Sequence, residues 1–121
     1  MSDIRNYDTV DAEVFRVLDR QGRPRALLHA MGGDVTLDLL GEDELPRITI
    51  GVYKDRPSVS LLRSDGNAIV SLGLSPEGAT GISLARHDGT LQMLLTVNPD
   101  GKVEIIAFNP EGERLWSLPP S

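Results

Sequence analysis

Residues 59–74 read VSLLRSDGNAIVSLGL, from Val59 to Leu74. Apolar residues alternate with small polar ones on both sides of an Arg-Ser-Asp-Gly segment, the pattern of two half-buried strands joined by a tight turn. The same arrangement recurs along the chain. With Gly22, Gly66, Gly89 and Gly112 as anchors, and Glu44 in the corresponding place of a degenerate copy, the separations are 22, 22, 23 and 23 residues. Five hairpin units follow.

Seven and five residues before each anchor lie Phe15 and Val17, Leu37 and Leu39, Val59 and Leu61, Ile82 and Leu84, Ile105 and Ala107. Four and six after it lie Ala26 and Leu28, Ile48 and Ile50, Val70 and Leu72, Met93 and Leu95, Trp116 and Leu118. All are apolar in a chain that is 40% hydrophobic, and chance agreement at that frequency is roughly one in 10⁸. A spacing of two puts them on one face of their strands. Ala30, Val52, Leu74 and Val97 extend that face.

The connections are too short for crossovers. Ser75-Pro76-Glu77-Gly78, Asn98-Pro99-Asp100-Gly101 and Asn109-Pro110-Glu111-Gly112 each offer a turn-initiating side chain, a proline preset for the second position, and a glycine free to take φ > 0. Gly32-Gly33-Asp34 opens no helix, so it reads as a hairpin turn rather than a phosphate loop. Gly41-Glu42-Asp43-Glu44 lacks the glycine and is the least regular turn. The expected fold is all-β: an antiparallel meander of about ten short strands from five hairpin repeats, closed as a barrel or sandwich or by homo-oligomerisation. Residues 13–121 form the single repeat domain, and 1–12, with Ile4, Tyr7 and Val10 spaced by three, an N-terminal arm.

Residues Phe15-Arg16-Val17-Leu18-Asp19, Gly22, and Arg25-Ala26 with Leu28 resemble the hairpin repeat of uncharacterised bacterial β proteins and, more loosely, β-rich phage fibre segments. The resemblance covers residues 14–118 and implies a β-repeat fold. It assigns no catalytic or binding residue.

Composition narrows the chemistry. Without cysteine there is no disulfide, thiolate nucleophile or Cys-based metal site. A net charge of −6 disfavours phosphate backbones and anionic membranes, and the N-terminus has no basic-then-apolar leader pattern, so no nucleic-acid or membrane partner and a cytoplasmic location are expected. His29 falls on the polar face and His87 in a turn, each read as a solvated side chain. The recurrent Asp43, Asp65, Asp88, Asp100 and Glu111 read as turn formers rather than calcium ligands. No catalytic residue, cofactor or metal site is expected.

One feature of the second face stands out. Four residues before each anchor lie Leu18, Leu40, Leu62, Ala85 and Phe108, apolar in every unit on a face otherwise mixed. Leu18, Leu40, Leu62 and Phe108 are therefore the candidate interface residues. The reading that follows is a non-catalytic assembly or interaction module that homo-oligomerises through apolar sheet surfaces. A β-barrel holding a small hydrophobic ligand is the alternative, and an enzyme with an apolar barrel-enclosed site a third.

Overall fold

The computed structural model of the chain describes residues 8–75 and 77–120. Ten strands follow in order: β1 (Val14–Leu18), β2 (Pro24–Met31), β3 (Asp34–Leu40), β4 (Pro46–Tyr53), β5 (Arg56–Leu62), β6 (Ala68–Leu74), β7 (Thr80–Ala85), β8 (Leu91–Val97), β9 (Val103–Phe108) and β10 (Arg114–Leu118). They form one antiparallel sheet in sequential order, β1 to β10. Among the described residues no helix is long and apolar enough to cross a membrane.

The expected rows are the observed register. Phe15 pairs with Leu28, Leu28 with Leu37, Leu37 with Ile50 and Ile50 with Val59. The row continues through Leu72, Ile82, Leu95 and Ile105 to Leu118. Because a slip of one residue would turn a whole strand over, the alternation itself holds this register.

The turns show why the period is so regular. At each anchor the backbone closes the same two bonds, as in Gly22 N–H to Asp19 C=O and Asp19 N–H to Arg23 C=O. Gly22, Gly66, Gly89 and Gly112 all have φ between 81° and 90°. Glu44 takes their place in the degenerate copy with φ 66°, and the same pair of bonds joins Gly41 to Glu44 and Leu45. An irregularity of register follows every one of these turns, so Arg25, Arg47, Ile69, Gln92 and Leu115 are the extra residues of five equivalent β-bulges.

On the opposite side of the sheet the hairpins include two-residue turns. Gly32-Gly33 joins Met31 to Asp34 as expected, whereas Lys54-Asp55 joins Tyr53 to Arg56 with φ of 49° and 67°. Nothing in the sequence marks the second as clearly, because neither residue is glycine. Residues 1–7 of the arm, Pro76 of its turn and Ser121 lie outside the described residues.

Among the described residues β1 and β10 do not pair with each other, so the chain leaves its sheet open. Among the described residues the buried hydrophobic ones are Ile106 and Ala107. A folded 13.2 kDa monomer is expected to expose about 6,400 Å². This chain exposes 8719 Å². Setting aside about 1,100 Å² for residues 1–7 still leaves an excess above roughly 1,000 Å².

Candidate functional site

Many of the exposed large hydrophobic residues lie on the apolar face. Phe15 is 40% exposed, Ile50 43%, Leu72 42% and Trp116 46%, and Leu39, Leu61, Ile82 and Leu84 are exposed beside them. These residues belong to the rows whose alternation makes the sheet, so the repeat that dictates the fold also dictates the uncovered face. Around Leu28, Leu37, Ile50, Val59, Leu72 and Leu74 it dips into a shallow hollow of about 450 Å³ with an almost wholly apolar lining. Nine inter-strand spacings of about 4.8 Å give the face a length of roughly 43 Å, and two to three side chains per strand give a width near 20 Å.

The other face is built differently. Its two central rows run Asp38, Thr49, Ser60, Ser71, Ser83 and Thr36, Gly51, Ser58, Gly73, Gly81, Thr96. Small side chains leave the backbone near the surface, and a shallow hollow lined by Ser58, Ser60, Ser71, Ser83 and Thr96 lies over them. The Tyr53 ring covers one end, where a Cβ on Gly51 would come within 2.8 Å of it. Burial against this surface, with the charges of Asp38 and Asp34 nearby, pushes the Tyr53 hydroxyl above its ordinary value.

Of the candidate interface residues, Leu18 is 51% exposed, whereas Leu40, Leu62 and Phe108 are half-buried. Leu18, Leu40 and Leu62 sit at the bulges, opposite Pro24, Pro46 and Ala68, and Phe108 opposite Arg114. They form a row along one long side of the sheet, but strand spacing keeps them apart rather than gathering them into a pocket. Leu27 and Leu94 belong to a different row, facing Asp38 and Ser83.

The structure gives His29 partners that spacing alone does not reveal. Its Nε2 lies in hydrogen-bond contact with Thr36 Oγ1 and 3.4 Å from Asp38 Oδ2. Residue types suited to nucleophile, base and orienting acid thus meet on β2 and β3. Both contacts fall on the same ring nitrogen, however, so the carboxylate does not orient the imidazole through the far nitrogen as a catalytic triad requires. The signal that could have found the cluster is the hairpin register, which pairs His29 with Thr36 and places Asp38 one step along the same face.

The acidic turn residues act locally. Asp65 Oδ1 accepts from Asn67 N–H at 2.9 Å, Asp88 Oδ1 from Thr90 N–H at 2.9 Å, and Asp43 Oδ1 from Leu45 N–H at 3.0 Å. For Asp43 the guanidinium of Arg47, bonded at 2.7 Å, is the leading cause of a carboxyl held below its usual value. Backbone N–H donation leads at Asp65 and Asp88, which are lowered too. Asp19 feels burial most, which raises it, yet the combined donation from Arg23 and Gln21 leaves it lowered. Among the described residues no three His, Asp or Glu side chains converge as a metal site would need.

No protein-family model matches the chain, and no curated protein matches it.

Proposed function

We propose that the protein is a non-catalytic assembly module, a β-hairpin-repeat sheet that homo-oligomerises by packing its apolar surfaces against copies of itself. The observation that carries this reading is the exposure of the apolar face along the sheet, with Ile106 and Ala107 the buried hydrophobic residues among those described. A sheet apolar on one face requires a second layer, and an identical face supplies one of matching length and period. Two such faces can stack about 10 Å apart with their side chains interleaved. The row at Leu18, Leu40, Leu62 and Phe108 serves as a further contact along the side of the assembly.

Light scattering on a size-exclusion column at two concentrations tests the reading. A discrete particle at a multiple of 13.2 kDa is expected, and Ile50→Asp with Leu72→Asp is expected to reduce its mass or make the protein insoluble. A sharp monomer at both concentrations would sink it.

The hollow around Ile50 and Leu72 favours a second reading, in which the apolar face receives a small hydrophobic molecule. Hydrophobic dye or fatty-acid titration separates the two. Saturable one-to-one binding by a monomer supports the ligand, whereas an oligomer that binds no dye supports assembly.

A further inference from the structure

We propose that Asp100–Gly101 is a site of spontaneous backbone modification, at which the aspartyl bond rearranges to isoaspartate, while the two other Asp–Gly junctions are shielded by their turns. The proposal concerns a turn and not the exposed apolar face, so it stands apart from the assembly reading.

The chain has three Asp–Gly junctions, Asp65–Gly66, Asp88–Gly89 and Asp100–Gly101. Without a Cβ, glycine leaves its own nitrogen open to the preceding side chain. That nitrogen attacks the aspartate Cγ, the carboxyl hydroxyl and the amide hydrogen leave as water, and a five-membered succinimide closes. Water then adds back at either ring carbonyl. Breaking the bond from nitrogen to the original backbone carbonyl leaves the chain running through the side chain, as isoaspartate, and breaking the other restores aspartate. Water is the sole co-reactant.

The closed turns oppose the attack in the same way. The N–H groups of Gly66, Gly89 and Gly101 donate to the carbonyls of Arg63, Arg86 and Asn98 at 2.9, 2.8 and 2.8 Å. The carboxylates are fixed as well, Asp100 Oδ1 accepting from Lys102 N–H at 3.0 Å as Asp65 and Asp88 do from Asn67 and Thr90. The reaction therefore waits for the turn to open, and the turn with the least packing opens most often.

Packing separates the three. Every residue from Val97 to Val103 is exposed, whereas Leu62 and Asn67 in one of the other turns, and Ala85, Arg86, Thr90 and Leu91 in the other, are half-buried. Those two turns also brace each other. A Cβ on Gly89 would come within 3.2 Å of the Asn67 side chain, while the same position on Gly101 meets nothing within 4 Å. From the Asp100 turn, Pro99 reaches toward Gly78 at an ordinary contact distance of 3.7 Å. The Asp100 side chain is 59% exposed and 3.9 Å from an exposed Lys102, against 47% for Asp65 and 46% for Asp88, which lie 3.5 and 3.8 Å from the Arg63 and Arg86 guanidinium groups. Backbone N–H donation also holds Asp65 and Asp88 below their ordinary value, and an ionised carboxyl has no hydroxyl to lose. Rearrangement adds one main-chain carbon between Asp100 and Gly101, so the bond from Gly101 N–H to Asn98 C=O no longer closes the β8–β9 turn.

The test ages the intact protein at neutral pH and body temperature, digests it, and locates isoaspartate by electron-transfer fragmentation of the peptides. Isoaspartate is expected at Asp100 at several times the rate at Asp65 or Asp88. In concentrated urea the three rates should converge, because no turn is then closed. Amide hydrogen exchange gives an independent readout, in which Gly101 N–H should exchange several-fold faster than Gly66 and Gly89. Rates at Asp65 or Asp88 that equal or exceed the rate at Asp100 in the folded protein overturn the proposal. So does a preference for Asp100 that persists undiminished in urea, which traces it to the neighbouring residue types and not to packing. Equal exchange at the three glycine amides overturns it as well.

Discussion

Glu44 is the residue that departs most from its own repeat. It holds φ at 66° where three of the four sister positions use glycine near 86–90° and the remaining one has 81°. A left-handed conformation costs a side-chain-bearing residue about 1–2 kcal/mol, and glycine gives part of that back through the greater freedom of its unfolded chain. Glu44→Gly is therefore expected to stabilise the protein by about 0.5–1 kcal/mol in denaturant melts, and Gly66→Ala to destabilise it by about 1–2 kcal/mol. The turn carboxylates make a second residue-scale prediction. Asp43, Asp65 and Asp88 are held below their ordinary value of 3.8, so each bonds its turn more strongly when ionised. That contribution is fully present above about pH 4 and fades as the pH falls through the lowered value. Asp65→Asn should melt below the parent at pH 7, and the difference should shrink as both are titrated below pH 4. A gap that stays constant with pH would remove the carboxylate from the account.

At the scale of the element, the hairpin unit was legible from its alternation and its turn glycine. Val59 to Leu74 shows both, and the structure puts Leu61 opposite Val70 and Val59 opposite Leu72 as that alternation demands. The bulges were less legible, because an extra residue next to a turn leaves the anchor spacing unchanged. They matter for the row at Leu18, Leu40, Leu62 and Phe108, since they set those residues opposite the bulged segment rather than in a simple cross-strand row. Leu40→Asp with Leu62→Asp is expected to leave the strands intact, as read by far-UV circular dichroism. The particle mass should fall or the solubility change if the row is a contact, and an unchanged mass and solubility would remove it from the interface. His29 teaches a similar lesson. Its neighbours Thr36 and Asp38 become visible only once the Met31–Asp34 hairpin is closed in the correct register.

For the whole molecule the decisive quantity is the surface left over. A monomer of this mass with its own core would bury the apolar rows, yet the chain exposes 8719 Å² and keeps Phe15, Ile50, Leu72 and Trp116 on the outside. If those rows are covered by copies, unfolding should depend on protein concentration, because dissociation and unfolding are then linked. A thermal midpoint that rises by several degrees over a hundred-fold increase in concentration is expected, and a midpoint independent of concentration would argue for a self-sufficient monomer. Ten strands, their order, their pairing and most of their turns were contained in the sequence, because local alternation and turn chemistry act over a few residues and repeat along the chain. Whether the sheet curls shut was not, since closure depends on the accumulated twist and on what becomes of the two edge strands. Only the tertiary structure decided that β1 and β10 stay apart within one chain, and with them the apolar face stays open.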